Sequence, residues 1–264
     1  MSEILEINGP ILRVRLPGAR NGEQVRIGKL GLIGEIIGLE GEQAIVQAYE
    51  STESLRPGET VASLGHPLSV ELGPGLLGRI FDGVQRPLID IFEASGDHIG
   101  RGLDMPALDR SKRWAFTPRA DVTPQLLCGE TLGEVPETET ITQRILVPPD
   151  MRGELIELAP AGEYQLDDVI ARVRDKSGKE HALHLYHRWP VRQPRPYARR
   201  DHAVAPLLTG QRILDTFFPL LKGGKGAIPG PFGAGKTMTQ HQIARWSNAD
   251  IVIYVGCGER GNEL

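Results

Sequence analysis

The sequence predicts an α/β protein that begins with a small β barrel and carries a β-rich insert within its α/β part. Short apolar runs separated by Gly and Pro fill residues 1–70 and again residues 111–190, a texture typical of antiparallel sheet. Residues 191–264 differ, because they combine a helix-like segment, a glycine-rich loop and one continuous apolar run. We therefore predict domain boundaries near residues 70, 110 and 190.

The first block contains the clearest strand signals. ILRVRL at residues 11–16 predicts a strand, and LIGEIIGLE at 32–40 and QAIVQAYE at 43–50 flank a Gly41-Glu42 turn like the arms of a hairpin. Short strands closed by glycine turns favour a small antiparallel barrel. Residues 71–110 are turn-rich and extended, and we assign them to the first part of the α/β domain that the insert interrupts.

Composition limits the function classes. The chain has 264 residues, of which 40% are hydrophobic and 24% charged, as in ordinary globular proteins. The net charge of −4 argues against a nucleic-acid partner. The start, MSEILEING, lacks a basic region followed by an apolar core, and no apolar stretch approaches the ~18 residues of a membrane span. We expect a cytoplasmic protein whose membrane role, if any, is indirect.

The last block predicts one strand–loop–helix–strand unit. GAIP at residues 226–229 suits a short strand that enters the glycine loop, and KTMTQHQIARWSN at 236–248 suits a helix. DIVIYVG at 250–256 is a continuous apolar run, typical of a buried parallel strand. Together they predict a βαβ unit, preceded by an apolar segment at 212–221 with helical spacing.

The loop GPFGAGKT matches the phosphate-binding P-loop pattern, with Gly230, four residues, Gly235, Lys236 and Thr237. Glycines let successive backbone N–H groups turn toward phosphate oxygens, and the following helix adds its positive N-terminus. Lys236 brings a charge to the β- and γ-phosphates, and the Thr237 hydroxyl suits Mg²⁺. The predicted binding residues are Gly230, Pro231, Phe232, Gly233, Ala234, Gly235, Lys236, Thr237 and Met238.

In addition to Lys236, the tripeptide GER at residues 258–260 supplies candidate catalytic residues. It follows the apolar run 250–256, and a carboxylate at the C-terminal end of a parallel strand lies where such sheets bind ligands. Hydrolysis needs a group that orients the attacking water, so Glu259 is the predicted catalytic carboxylate and Arg260 a further candidate. The alternative is a surface carboxylate paired with Arg260 or with a residue four positions further on.

GPFGAGKT, with TGQRILDTFFP before it and GCGERGNEL after it, resembles the catalytic A subunit of V-type and A-type ATPases, the alpha chain of bacterial V-type ATP synthases. LGLIGEIIGLEG, SVELGPGLLGRIFDGVQRPL and HRWPVR resemble that subunit too, and the likeness runs from about residue 5 to residue 264. F-type β subunits and type III export ATPases lack a block like 111–190. The non-catalytic partner subunit lacks an intact P-loop. Ala234 departs from the serine usual in relatives, with little expected consequence.

The resemblance implies ATP synthesis or hydrolysis coupled by rotation to movement of protons or sodium ions. It implies ATP or ADP with Mg²⁺ as ligands, and it assigns activation of the attacking water to Glu259. The implied partners are B subunits in an alternating ring of three A and three B, stalk subunits and, indirectly, a membrane rotor. It also implies that the chain is the N-terminal part of a longer subunit with a truncated nucleotide domain, which we expect not to turn over ATP alone.

Other function classes fit less well. An inactive structural subunit is the main alternative, and intact Lys236 and Glu259 argue against it. LGEVPETETITQRILVPPDMRGEL resembles a lipoyl-type hairpin, but no lysine lies between Arg119 and Asp175 to carry a prosthetic group. On a strand, the histidines of HALHLYH alternate between faces, which argues against a metal site. Prolines in the basic segment 186–200 favour an extended loop.

Overall fold

The computed structural model describes residues 2–119, 121, 124–197, 199, 202 and 205–258. Its contacts divide the chain into two units, Met1–Pro196 and Tyr197–Leu264, and each unit is described by itself. No helix among the described residues is both long and apolar enough to cross a bilayer. The domain boundaries near residues 70, 110 and 190 stay predictions.

The first unit opens with a six-stranded antiparallel sheet in the order β1-β2-β5-β4-β3-β6. Its strands are β1 (Glu3–Asn8), β2 (Ile11–Arg15), β3 (Glu23–Ile27), β4 (Leu32–Glu40), β5 (Gln43–Ala48) and β6 (Val61–Pro67). The chain entering β6 returns to β1, because Glu3 bridges Thr60 and the Ile4 N–H donates to the Glu59 carbonyl at 2.8 Å. This contact closes the sheet, and the predicted N-terminal barrel is confirmed.

Alternating side chains fill the barrel. One face of β2 and β5 carries Leu12, Val14 and Val46, all fully buried, as the period of two along a strand requires. The predicted hairpin joins β4 to β5, with Glu40 opposite Gln43. Gly41 has φ +64°, a value that glycine adopts without steric cost.

A short strand, β7 (Ser69–Leu72), and a helix, α1 (Leu88–Ser95), follow the barrel. The next block forms two four-stranded antiparallel sheets, in the orders β11-β10-β8-β13 and β15-β14-β12-β9. Their strands are β8 (Trp114–Pro118), β9 (Gln125–Leu126), β10 (Thr131–Pro136), β11 (Thr142–Leu146), β12 (Gly153–Leu158), β13 (Gly162–Tyr164), β14 (Ala171–Arg174) and β15 (Glu180–Leu183). Both sheets contribute to one apolar core that includes Phe116, Leu132, Ile170 and Val173.

The chain leaves this block beside the strand by which it arrived. Strand β16 (His187–Pro190) pairs antiparallel with β7, with His187 opposite Leu72. Glu71 Oε1 accepts hydrogen bonds from Arg110 Nη2 at 2.6 Å and from Arg188 Nη2 at 3.2 Å. The two ends of the block are therefore joined both by a ladder and by ion pairs.

The second unit is small and has little buried surface. It contains β17 (Pro206–Leu207), α2 (Arg212–Phe217), β18 (Leu220–Leu221) and α3 (Lys236–Trp246). The predicted helix at 236–248 is confirmed. The strands predicted at 226–229 and 250–256 are not formed, because neither segment has a hydrogen-bonded neighbour among the described residues, and an extended segment becomes a strand only through a ladder. Of the expected βαβ unit, the loop and the helix are observed.

An ion pair in the first unit gives a pH prediction. Glu35 on β4 is 3% exposed and receives Arg192 Nε at 2.8 Å and Nη2 at 2.7 Å, together with the Tyr49 hydroxyl. The hydrogen bonds from Arg192 hold the pKa of Glu35 below its usual value of 4.5. The stability contributed by a carboxylate with a lowered pKa is present above that usual value and is lost as the pH falls through the lowered one.

We therefore expect the unfolding free energy of the wild type to fall more steeply than that of Glu35→Gln as the pH drops below 4.5. Urea unfolding at a series of pH values, followed by tryptophan fluorescence, measures both slopes. The neutral amide of Glu35→Gln does not titrate, so it is the matched control. Equal slopes would show that Glu35 titrates alike in the folded and unfolded chain.

Candidate functional site

The glycine-rich loop makes a tight turn before α3. Gly233 has φ +79° and Gly235 has φ +78°, both in the left-handed region that favours glycine. The Ala234 N–H donates to the Pro231 carbonyl at 3.3 Å. A Cβ added to Gly230 would lie 3.1 Å from the Ala234 Cβ, a tight contact, so the two ends of the turn lie close together.

The first turn of α3 presents unused amide donors. The first helical hydrogen bond runs from the Thr239 N–H to the Gly235 carbonyl at 3.0 Å. The N–H groups of Lys236, Thr237 and Met238 precede it and have no acceptor within the helix. These three amides have no acceptor among the described residues, and with the positive end of the helix dipole they form an arrangement suited to phosphate oxygens.

The Lys236 side chain folds back over the start of the glycine loop. Its ammonium donates to the carbonyls of Gly230 at 2.6 Å and Pro231 at 2.8 Å, which places a positive charge beside the amides of the first helical turn. The Thr237 hydroxyl makes no hydrogen bond to any described residue, so it is available to a metal ion. This donor set fits a phosphate group accompanied by Mg²⁺, whose preferred ligands are oxygens.

The remaining predicted loop residues act through the backbone if they act at all. The Phe232 side chain is 86% exposed and that of Met238 is 63% exposed. Neither side chain adds a polar group to the loop. The groups of the loop that can bind phosphate are therefore its main-chain amides and the Lys236 ammonium.

The other two predicted catalytic residues are not placed. Glu259 and Arg260 lie outside the described residues, which reach Gly258 in this part of the chain. Their roles stay predictions that rest on the GER motif.

The histidine-rich segment forms no metal site within the described part of the chain, where no three His, Cys, Asp or Glu side chains cluster closely enough for one. His181 Nε2 lies 2.8 Å from Asp175 Oδ2, and His184 Nδ1 lies 3.2 Å from the Asp168 carbonyl. Burial lowers the pKa of His187 to about 4. These histidines have structural hydrogen-bond partners within their own unit.

A groove of about 450 Å³ runs along α3, lined by its Ile243 and Ala244 and by residues 251–255. None of its lining residues belongs to the glycine loop, and the lining is mainly apolar. It therefore lacks the cluster of donors that a phosphate needs, and the loop remains the candidate site.

Sequence reasoning missed three residues that organise the same unit. Asp215 accepts hydrogen bonds from the Thr209 N–H at 2.9 Å and hydroxyl at 2.8 Å, and the bond from the Thr209 N–H lowers the pKa of Asp215. Asn248 bonds to Leu208 at the end of α3. A threonine and glycine before an apolar helical run is an available signal for such a loop, but nothing local marks Asn248 as its partner.

Comparison with known proteins places three parts of the chain in one family. The description "ATP synthase alpha/beta family, beta-barrel domain" matches residues 4–65, and "ATPsynthase alpha/beta subunit barrel-sandwich domain" matches residues 105–192. The description "ATP synthase alpha/beta family, nucleotide-binding domain" matches residues 210–264. The last match contains the glycine loop and α3.

Curated relatives agree with these matches. The V-type ATP synthase alpha chain of Nitrosococcus oceani is 66% identical over 270 residues, covering 100% of this chain and 45% of the relative. The A subunit of the A-type ATP synthase of Thermococcus sibiricus is 52% identical over 265 residues, with the same coverage, and that of Methanopyrus kandleri is 52% identical over 263 residues, covering 99% and 44%. The chain spans about 45% of the length of the first two of these relatives.

Among solved structures, the type III secretion ATPase EscN of enteropathogenic E. coli matches with a TM-score of 0.53 and 18% identity, covering 100% of this chain and 43% of EscN. This likeness concerns the fold alone. The resemblance to the V-type and A-type catalytic chain is confirmed by the curated relatives, and the chain belongs to the ATP synthase alpha/beta family.

Proposed function

We propose that this chain is the N-terminal part, including the phosphate-binding loop, of the catalytic A subunit of a rotary V/A-type ATP synthase. The subunit would couple ATP synthesis or hydrolysis to movement of protons or sodium ions across a membrane. The observation that carries the proposal is the glycine loop, in which the Lys236 ammonium bonds back to Gly230 and Pro231 and the first three amides of α3 have no acceptor within the helix. The names of the curated relatives support the same function.

Different residues of the glycine loop would bind different parts of the Mg-nucleotide. The amides of Lys236, Thr237 and Met238 would hold phosphate oxygens, and the Lys236 ammonium would exchange its two carbonyl partners for the β- and γ-phosphates. The Thr237 hydroxyl would bind Mg²⁺, which when present neutralises charge on the phosphates. Glu259 would orient the attacking water, and Arg260 is a further candidate for a catalytic role at the same reaction centre.

The proposed partners follow from the family. We place the chain in an alternating ring of three A and three B subunits, in contact with central and peripheral stalk subunits. Through these subunits it would act on a membrane rotor without itself entering the membrane. This arrangement puts the chain on the cytoplasmic side, at the periphery of a membrane-bound complex.

Titration with Mg-ADP tests the proposed site. Lys236→Ala removes a charged donor from the phosphates, a change worth about 1.5–3 kcal/mol, so we expect Kd to rise by about 10- to 150-fold. Lys225→Ala is the matched control, because it removes an exposed lysine five positions before Gly230. Isothermal calorimetry on the full chain measures both. An unchanged Kd in Lys236→Ala would remove the basis for the assignment.

A further inference from the structure

The segment before the glycine loop closes on itself. Pro206 pairs with Leu221 and Leu207 with Leu220 in the β17–β18 ladder, and the Lys222 N–H donates to the Ala205 carbonyl at 2.9 Å. Helix α2 lies inside this closed segment. The chain that enters the glycine loop therefore starts from a fixed point at Lys222, eight positions before Gly230.

Asp215 ties the start of α2 to the loop that precedes it. Its Oδ1 accepts from the Thr209 N–H and hydroxyl, and its Oδ2 accepts from the Gly210 N–H at 3.2 Å. Thr209 is completely buried. Three hydrogen bonds to one carboxylate are charge-assisted and stronger than neutral ones, so they fix the conformation of residues 209–210 against α2.

The loop of residues 208–210 also contacts the C-terminal end of α3. The Leu208 N–H donates to Asn248 Oδ1 at 3.0 Å, and the Asn248 N–H donates back to the Leu208 carbonyl at 3.1 Å. A Cβ added to Gly210 would lie 3.0 Å from the Trp246 Cβ, so the loop also packs closely on the last turn of the helix. Residues 208–210 thus join α2 to the C-terminal end of α3.

These polar contacts matter because the helices have no core of their own. Neither α2 nor α3 contains a buried side chain among the described residues. Apolar burial, which fixes most helices in proteins, therefore does little here to set the direction of α3. Asn248 and the loop that Asp215 fixes supply polar contacts at the C-terminal end of α3, beside the ring contact of His241 with Tyr254.

We infer that Asp215 and Asn248 are positioning residues for the glycine loop. Asp215 fixes residues 209–210 against α2, and Asn248 joins that loop to the end of α3, so together they hold the helix whose first amides, at residues 236–238, face phosphate. Asn248 lies at the far end of α3, whose 11 residues span about 16 Å, and both carboxylate oxygens of Asp215 are already bonded to Thr209 and Gly210. The inference rests on the proposed nucleotide site and adds residues outside its motif.

Two pairs of variants test the role. Asp215→Ala removes all three acceptor contacts, whereas Asp215→Asn keeps an oxygen for Thr209. Asn248→Leu removes the acceptor for the Leu208 N–H, whereas Asn248→Asp keeps it. Asp250→Ala, an exposed carboxylate in the same unit, is the control. The two readouts on the full chain are the Kd for Mg-ADP and the amide hydrogen exchange of residues 230–240.

We expect Asn248→Leu to weaken Mg-ADP binding by about 5- to 10-fold, the scale of one lost hydrogen bond, and Asp215→Ala, which removes three, by at least as much. They should also speed amide exchange in residues 230–240, although Asp215 and Asn248 lie outside that segment. Asp215→Asn, Asn248→Asp and Asp250→Ala should stay within about 2-fold of the wild type. Recovery in the conservative variants identifies the hydrogen bond, rather than general damage to the fold, as the cause.

The outcomes separate the two proposals. Wild-type affinity and exchange in Asn248→Leu would overturn the positioning role, and this variant decides the matter if Asp215→Ala does not fold. Equal losses in Asn248→Leu and Asn248→Asp would overturn it as well. If Lys236→Ala raises the Kd for Mg-ADP but Asn248→Leu does not, only the positioning role is contradicted. If Asn248→Leu speeds amide exchange but Lys236→Ala leaves the Kd for Mg-ADP unchanged, the positioning of α3 is supported and the nucleotide site is contradicted.

Discussion

Replacing Arg86 by leucine should lower the unfolding free energy of the first unit by about 3–5 kcal/mol, the cost of breaking a buried ion pair from one side. Arg86 is 8% exposed. Its Nε donates to Asp82 Oδ2 at 2.7 Å and its Nη1 to Glu50 Oε1 at 3.2 Å. The side chains of Glu50 and Asp82 are 8% and 14% exposed, so the substitution leaves two carboxylates buried without their cation.

This cluster holds the segment after the barrel to the barrel itself. Glu50 follows β5, and its Oε2 accepts the Gly102 N–H at 2.6 Å. Arg86 also donates to the Leu103 carbonyl at 3.4 Å. Gly102 has φ +69°, and an added Cβ would overlap the Leu30 carbonyl oxygen. The chain around residues 82–103 is thus fixed by charge and by close backbone approach.

Urea unfolding followed by circular dichroism and by the fluorescence of Trp114 and Trp189 measures the loss. Arg15→Leu is the matched control, because Arg15 pairs with Glu3 at 2.7 Å on the surface of the same unit, and an exposed pair contributes about 1 kcal/mol or less. A loss in Arg86→Leu no larger than in Arg15→Leu would show that the two carboxylates find water or other donors.

The parts of the fold that were predictable are those that local sequence determines. The β4–β5 hairpin follows from two apolar runs around Gly41, and the start of α3 follows from Gly235 and Lys236. Each of these signals involves residues close together in the chain, where turn chemistry and periodicity apply directly. The loop geometry of the candidate site belongs to the same class.

The parts that could not be predicted depend on distant partners. Glu35 and Arg192 lie 157 positions apart, and no pattern around either residue names the other. Asp215 and Asn248 are likewise joined only through the folded loop 208–210. The run 250–256 shows the reverse case: its apolar sequence is suited to a strand, but strand formation needs a neighbour, and the described residues supply none.

Phe116→Ala should lower the unfolding free energy of the barrel-sandwich block by about 3–5 kcal/mol, as for other buried phenylalanines. Phe116 is 1% exposed and meets the Tyr164 ring edge-to-face with centroids 6.1 Å apart. A Cβ added to Gly133 would overlap its ring, so the core closes tightly around it. Leu127→Ala is the control, since Leu127 is 60% exposed and should cost under about 0.5 kcal/mol.

The same variant tests whether residues 111–190 are a separate, non-catalytic block, as the sequence predicts. If they are, Phe116→Ala should leave the Kd for Mg-ADP within about 2-fold of the wild type at temperatures where the chain stays folded. The reason is that the hydrogen bonds that shape the glycine loop, from Ala234, Lys236 and Thr239, all end on residues 230–235. A Kd that rises together with the loss of stability would mean that the block supports the nucleotide site, and the boundaries at 110 and 190 would then be wrong.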